Sequence, residues 1–306
     1  MLWILIAILV SVAAGIYGER RWPDRAGTES RRGMLLILYC VLPPIIFFNL
    51  VHVELEFGGG AGLAAGLLAS VCVGLLAWIL SVPVLKLDRP VAGAVICSSI
   101  LANTSYLGYP TVYSLMGGDE LTDAVLFDVV VSYLTFMLGA FAVGAAFGTK
   151  AGEGFRQRLK AFFFKNPLLL AAVLGLLAPE SLAPQVAVDI SRALVLIPLV
   201  VGFFAVGAIL TEEVRARVMK VPPRPHKPLG AVMVCRLIAA PALLLLFTLP
   251  FDGVPDSYYL LAVMPTGLNS MIVGHAYGLD LRTCAEAIVY TTTVVLLGLA
   301  GWALFF

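Results

Sequence analysis

Two apolar stretches, in opposite halves of this chain, are each interrupted near the middle by polar residues, glycine and proline. The first, Pro90 to Met116, carries Asn103-Thr-Ser-Tyr-Leu-Gly-Tyr-Pro110; the second, Ser257 to Gly278, carries Met264-Pro-Thr-Gly-Leu-Asn-Ser270. Glycine and proline disfavour a helix, and unpaired polar groups are costly in lipid. We therefore predict two broken helices. Paired broken helices in the two halves of a chain are the best sequence indicator of a transporter's binding site.

The composition is that of a protein embedded in a lipid bilayer. Hydrophobic residues make up 60% of the 306 residues and charged residues only 13%, whereas soluble domains have roughly 25% charged residues. A helix needs about 20 apolar residues to cross a bilayer core. On this measure we predict an all-α membrane protein with ten transmembrane spans, numbered 1 to 10: Met1–Gly18, Gly33–His52, Gly60–Ser81, Pro90–Met116, Thr122–Gly148, Asn166–Pro179, Val186–Leu210, Pro228–Leu249, Ser257–Gly278 and Leu281–Leu304.

The distribution of basic residues predicts the orientation of these spans. Of the 20 lysines and arginines, all except Arg192 and Arg236 fall in the loops on one side, while the opposite loops carry acids such as Asp119 and Asp252. Positive charge marks the cytoplasmic side. The pattern predicts a multi-pass protein of the cytoplasmic (inner) membrane with both termini extracytoplasmic. Because the basic residues are spread along the loops and form no single face, we expect no nucleic-acid binding.

A charged segment, residues 149–165, divides the chain into two halves of five spans. We predict a first five-helix repeat in residues 1–148, a cytoplasmic linker in 149–165 and a second repeat in 166–306. An odd number of spans in each half inverts the second repeat relative to the first. Similar segments occur in the same order in both halves, namely Val41-Leu-Pro-Pro-Ile-Ile-Phe-Phe48 and Leu196-Ile-Pro-Leu-Val-Val-Gly-Phe-Phe204.

The two breaks are expected to cross each other near the bilayer midplane. Asn103 and Asn269 are predicted to reach the same depth, and backbone groups freed by a break must be satisfied inside the protein. New half-helices are predicted to begin near Leu107 and Ser270. Their N-termini carry partial positive charge and free N–H donors, which suit an anion.

Three motifs resemble the auxin efflux carrier family, which includes plant auxin exporters and bacterial permeases for malate, malonate and similar acids, within the bile-acid symporter-like superfamily. They are Leu101–Pro110 in span 4, Lys165–Gly175 at the opening of the second repeat, and Ala262–Ser270 in span 9. The resemblance implies an elevator-type carrier with scaffold helices 1, 2, 6 and 7 and transport helices 3–5 and 8–10. The long cytoplasmic loop of the plant exporters is absent, which argues against auxin itself as substrate.

The same resemblance implies that the substrate binds where spans 4 and 9 cross. On this sequence, the family's positions fall on Asn103, Thr104, Pro110, Pro265 and Asn269, and we add the neighbours Ser105, Thr266 and Ser270. We also predict a homodimer through the scaffold helices, partly from the resemblance and partly because an elevator needs a fixed scaffold.

Four ionisable residues inside the spans are candidate charge or proton sites: Asp128, Arg236, His275 and Glu286. Arg236 lies roughly 13 Å into the membrane and needs a partner or water there. We expect Asp128 to be that partner; the pair is either a substrate and proton site or a structural ion pair. His275 and Glu286 are candidates for passing protons, although a solvated His275 is the simpler interpretation. Asp189 and Arg192 are expected to pair locally on one helix.

These observations predict a secondary active or facilitative transporter of small organic anions, working as a uniporter or linked to protons, and not an enzyme. A sodium-coupled carrier of the bile-acid symporter type is the alternative. Such carriers use an acid or a glutamine beside the crossing to bind sodium, and the crossing spans of this chain lack one. A membrane sensor and an intramembrane enzyme are more remote. No hydrolase or protease motif is present, and the three His and five Cys lack metal-ligand spacing, so we expect no metal or cofactor.

Overall fold

The computed structural model describes residues 2–53, 57–150, 167–215 and 226–305. Every regular element within these ranges is helical. The α-helices are α1 Leu2–Arg21, α2 Pro23–Leu36, α3 Leu42–Leu50, α4 Phe57–Ile79, α5 Arg89–Ile100, α6 Tyr109–Leu115, α7 Gly118–Phe127, α8 Phe141–Phe147, α9 Pro167–Leu177, α10 Gln185–Ala193, α11 Leu196–Arg215, α12 Lys227–Met233, α13 Ala240–Thr248, α14 Asp256–Ala262, α15 Asn269–Tyr277 and α16 Leu281–Phe305.

By length and composition, six helical segments of the described residues could cross a membrane. They coincide with predicted spans 2, 3, 5, 7, 8 and 10: Arg25–Leu50, Phe57–Val84, Gly118–Phe147, Gln185–Glu212, Lys227–Thr248 and Leu281–Gly301. Two shorter apolar helices, Arg89–Ile100 and Pro167–Leu177, lie at predicted spans 4 and 6. The chain is thus an all-helical protein with the segments of a membrane protein, while ten crossings, the inverted repeat and the division at 149–165 stay predictions. Residues 151–165 of that linker lie outside the described ranges.

Wide π-helical turns interrupt several of the long helices. Four of them stand beside or include proline: Ile37–Val41 before Pro43, Leu80–Val84 around Pro83, Thr104–Gly108 before Pro110 and Val234–Ala239 before Pro241. Proline has no N–H to donate and its ring clashes with the carbonyl four residues earlier, so the preceding turn widens. The sequence therefore sets the position of these irregular turns.

Helices α1 and α11 pack against each other with backbone in direct contact. A Cβ at Gly15 would lie 2.1 Å from the carbonyl oxygen of Phe204, and a Cβ at Gly207 would lie 2.2 Å from that of Val12. Only glycine permits this approach, as is common where membrane helices meet through small residues. The two helices therefore form one closely packed pair within the predicted scaffold.

One part of the predicted cytoplasmic loop between spans 1 and 2 is helical instead. Helix α2 begins at Pro23 and continues through the polar stretch to Leu36. Proline at the first turn favours a helix start because its missing N–H has no partner there anyway. The helix packs against α1 and α11, where the side chain of Val201 would lie 2.8 Å from a Cβ at Gly33. Tertiary packing thus extends the helix beyond its apolar part.

Helix α5 lies at the centre of the molecule. Every residue from Ala92 to Ile100 is buried, and α5 packs against α4, α8, α12, α15 and α16. A helix that is apolar on all sides belongs in such a position. The first of the two chain breaks follows directly after its last turn.

Candidate functional site

The two broken segments pair with each other through their backbones. After α5 ends, the N–H of Asn103 donates to the carbonyl of Pro265 (2.8 Å), and the N–H of Gly267 donates to the carbonyl of Leu101 (2.9 Å). Ala102 and Thr266 form the antiparallel bridge between these bonds. Each break therefore satisfies polar groups that the other has freed, as burial away from water requires. Gly267 allows this contact, since a Cβ there would lie 2.6 Å from the Ala102 oxygen.

Beside this crossing lies a cavity of about 490 Å³. Its polar end contains Asn103, Thr104, Ser105, Asp128 and Asn269. The remaining wall is mostly apolar and aromatic, with Met34, Leu35, Leu38, Leu42, Tyr106, Tyr133, Phe136, Met137, Phe141, Leu168, Leu268 and Ile272 among its residues. Cavities of this size with a few convergent polar groups are typical of small-molecule sites.

Of the eight residues proposed from the sequence for substrate binding, the structure places four in this cavity and four elsewhere. Pro110, Pro265, Thr266 and Ser270 are buried and do not line it. Thr266 instead anchors the crossing: its N–H donates to Thr291 Oγ1 and its hydroxyl donates to the Ser98 carbonyl, both at 2.9 Å. Ser270 donates to the Gly267 carbonyl, also at 2.9 Å. The geometry gives Thr266 and Ser270 a role in holding the crossing.

Asn103 and Asn269 are brought together at the polar end, one from each half of the chain. Asn103 is buried and Asn269 is partly buried. Within the described part of the chain, no hydrogen bond reaches either side-chain amide. Both residues line the cavity, so their amides are available to a ligand, each with donors and an acceptor.

Asp128 contributes a carboxylate to the same cavity, and three hydroxyl groups donate to it. Thr104 donates to Oδ1, while Ser105 (2.6 Å) and Tyr109 (2.7 Å) donate to Oδ2. All three donors belong to the half-helix that begins after the first break. An acid at the N-terminus of a helix also offsets the partial positive charge there. The Asp128 carboxylate thus already offsets the partial positive charge of the half-helix that begins at Thr104. The sequence did not predict this contact.

The prediction of an ion pair between Arg236 and Asp128 is wrong, because each side chain has other partners. The Arg236 guanidinium donates to the carbonyls of Ala262 and Ser99, the latter at 3.5 Å. These carbonyls stand at the C-terminal ends of α14 and α5, just before the two breaks. Each such end carries roughly half a negative charge, so two of them offset one guanidinium. Arg236 is buried behind the crossing and lines a separate space of about 40 Å³, outside the cavity of Asn103 and Asn269.

The local pair expected between Asp189 and Arg192 is also wrong. Asp189 accepts a hydrogen bond from Gln185 (2.9 Å), whereas Arg192 reaches across to Asp119 on α7 (3.4 Å) and to Asn49 Oδ1 (3.4 Å). Gly118 makes room for this, because its Cβ would lie 2.4 Å from the guanidinium. Arg192 thereby joins α10 to α7 and α3 at the end of the molecule that the sequence predicts to be extracytoplasmic.

His275 and Glu286 do not line the cavity. His275 is exposed, and its carbonyl accepts a hydrogen bond from Lys150 Nζ at 3.2 Å. Glu286 is fully buried, accepts from Arg282 Nε at 2.9 Å and pairs with the imidazole of His226. Sequence reasoning missed His226, because it is separated from Glu286 by 60 residues and only the packing of α12 on α16 brings them together.

No protein-family model matches the chain. The chain is similar to a protein of Methanocaldococcus jannaschii described as an uncharacterized transporter. The two are 25% identical in an alignment that covers 99% of this chain and 96% of that protein. The alignment thus extends over nearly the whole length of both proteins.

Proposed function

We propose that this chain is a membrane transporter that binds a small organic anion in the cavity beside the crossing. The observation that carries the proposal is the pair of asparagines, Asn103 and Asn269, which line one cavity from opposite halves of the chain and whose side-chain amides have no hydrogen-bond partner among the described residues. The six long apolar segments and the full-length similarity to a protein described as a transporter support the membrane and transport parts of the proposal.

The substrate class is argued from the chemistry of the cavity. The amides of Asn103 and Asn269 donate hydrogen bonds to a carboxylate, and the positive end of α15 begins at Asn269. The apolar and aromatic wall suits the carbon skeleton of the same molecule. We therefore propose a small carboxylate, which agrees with the substrates of the auxin efflux carrier family that the motifs resemble.

An elevator mechanism fits the origin of the cavity's residues. Met34, Leu38 and Leu168 come from the predicted scaffold, whereas Asn103 and Asn269 come from the predicted transport helices. The cavity thus lies between the two proposed bodies, so sliding one body along the other would carry the substrate across the membrane. This assignment, and the placement in the cytoplasmic membrane with both termini outside, are part of the proposal.

Counterflow in proteoliposomes tests the proposal. The purified protein is reconstituted in sodium-free buffer, loaded with unlabelled acid and offered labelled malate, malonate or benzoate. We expect accumulation of at least one unmodified acid, and a fall of roughly tenfold or more in Asn103→Ala and Asn269→Ala, because each loses a donor to the carboxylate. The control is Thr293→Val, since that exposed hydroxyl bonds only its own helix.

Four outcomes would overturn the proposal, and the first is the absence of counterflow with every acid. If both asparagine variants folded and showed wild-type counterflow, the substrate would not bind at the crossing. Strict dependence on sodium would favour the sodium-coupled carrier, and conversion of the acid into a product would favour an enzyme.

A homodimer through the scaffold helices is a second expectation. Leu170, Leu174 and Leu177 on α9 are exposed apolar side chains at this proposed interface. In a gentle detergent, we expect a protein mass of twice 32.6 kDa, and Leu174→Trp should shift it toward the monomer because the larger ring disturbs the contact. Leu75→Trp, on the exposed face of the transport helices, is the matched control. A monomer alone, in wild type at all concentrations, would contradict the prediction.

A further inference from the structure

Among the described residues that line the cavity, Asp128 is the only Asp, Glu, Lys or Arg. Its side chain is buried, with 7% of the residue exposed. Ionisable residues at such depth in a membrane protein are costly and commonly mark ion or proton pathways. An acidic group in a cavity proposed to bind an anion therefore requires a physical explanation.

The hydrogen bonds of Asp128 suit both of its protonation states. As a carboxylate, it accepts hydrogen bonds from the hydroxyl groups of Thr104, Ser105 and Tyr109. A hydroxyl group is also an acceptor. When the carboxyl group gains a proton, one hydroxyl can turn to accept from it while the other two continue to donate. The group can thus take up and release a proton while its neighbours remain hydrogen-bonded.

The substrate site is next to this carboxylate along the chain. Asn103 directly precedes Thr104 and Ser105, and all three line the cavity together with Asp128. Two carboxylates that share a poorly solvated space repel each other, so one of them is stabilised in its protonated form. Binding of an anion and binding of a proton therefore favour each other, and this coupling is reciprocal.

The described elements packed around Asp128 contain no lysine, arginine or histidine, so they supply no positive charge that would offset a second carboxylate. The turn that holds Asp128 packs against α4, α7, α9 and the turns Thr104–Gly108 and Thr135–Ala140. Their titratable groups are Cys72 on α4, Tyr106 in the turn Thr104–Gly108, and Asp119, Glu120 and Asp123 on α7, and Tyr109 follows at the start of α6. Arg236 borders the neighbouring small space, which shares Ser132 with the cavity, but its guanidinium is held by Ser99 and Ala262.

We propose that Asp128 is the proton-carrying group of a proton–anion symporter, an inference that rests on the proposed function. One proton from the aqueous side forms an O–H bond with the Asp128 carboxylate as the anion binds to Asn103 and Asn269. Both are carried together, and the bond breaks to return the proton to water on the other side. For a monocarboxylate this movement transfers no net charge, so a pH difference drives it and a membrane potential does not.

The proton coupling is measured in the same proteoliposomes, with the labelled acid that gives the strongest counterflow. With the membrane potential held at zero, an inward proton gradient of one pH unit should drive about tenfold accumulation by the wild type. Asp128→Asn should retain counterflow at a reduced rate but lose this accumulation. Glu286→Gln removes the other buried carboxylate described above, which lies away from the cavity. This variant should retain the gradient-driven accumulation.

A second measurement covers the case in which Asp128→Asn does not fold. Adding the same acid to weakly buffered wild-type protein in detergent should remove about one proton per bound molecule from solution, as read by a pH dye. Counterflow without gradient-driven accumulation, gradient-driven accumulation by folded Asp128→Asn, or binding without proton uptake would each overturn the proton proposal. Absence of counterflow with every acid would instead overturn the proposed function.

Discussion

Gly267→Ala is expected to abolish transport, because this substitution places a methyl group where the two broken segments meet. The new Cβ would lie 2.6 Å from the Ala102 carbonyl oxygen and 3.0 Å from its carbonyl carbon. These are backbone atoms that cannot rotate away, and the neighbouring bond from Gly267 N–H to the Leu101 carbonyl (2.9 Å) would have to lengthen. Overpacking of this kind costs about 1–3 kcal/mol of stability.

Two measurements check this expectation. Counterflow of the labelled acid should fall to the background of empty liposomes, and thermal unfolding in detergent should occur at a lower temperature than in the wild type. Gly298→Ala is the matched control, because no heavy atom lies within 4 Å of a Cβ at that position. A Gly267→Ala protein with wild-type transport and unfolding temperature would show that the crossing is not held as closely as the structure indicates.

Arg236→Gln is expected to cause the largest loss of stability among single substitutions at the crossing. The substitution removes the charge that offsets the C-terminal ends of α5 and α14, and it leaves the Ser99 and Ala262 carbonyls with a shorter, neutral neighbour. A buried acceptor left without its donor costs about 1–3 kcal/mol. Transport should be lost as well, because α5 and α14 end at the carbonyls that Arg236 binds, just before the two breaks.

Arg236→Lys separates charge from geometry. A lysine restores the charge but not the planar fork of donors that reaches two carbonyls, so partial recovery of stability is expected. The control is Arg32→Gln, which removes an exposed pair with Glu29 and should cost no more than about 1 kcal/mol. If Arg236→Gln unfolded like the wild type and lost only affinity for the acid, Arg236 would be a substrate counter-charge and its role at the helix ends would be refuted.

The positions of the two breaks could be predicted from the sequence because their causes are local. The sequence placed new half-helices near Leu107 and Ser270; in the structure they begin at Thr104 and Asn269. Glycine, proline and small polar residues disfavour a helix wherever it is placed, so their cluster marks the break without knowledge of the fold. The same holds for the long apolar segments, whose positions coincide with predicted spans 2, 3, 5, 7, 8 and 10.

The partners of the buried charged residues could not be predicted in the same way. Depth in the membrane suggested Asp128 as the partner of Arg236, and helical spacing suggested Asp189 as the partner of Arg192. Both arginines instead bind groups on other elements. Arg236 binds backbone carbonyls, which every residue carries and no sequence pattern distinguishes. The pairing of His226 with Glu286 likewise joins residues 60 positions apart.

The amino-acid sequence alone thus predicts a helical, bilayer-compatible chain, the location of its two breaks and the asparagines within them. The packing of the helices shows that these asparagines line one cavity, that Asp128 lies there beneath three hydroxyl groups, and that Pro110, Pro265, Thr266 and Ser270 do not line it. This difference follows from the range of the forces involved. Helix propensity and transfer into lipid act on each residue and its near neighbours, whereas a buried polar group takes whichever partner the packing of distant helices brings within about 3 Å.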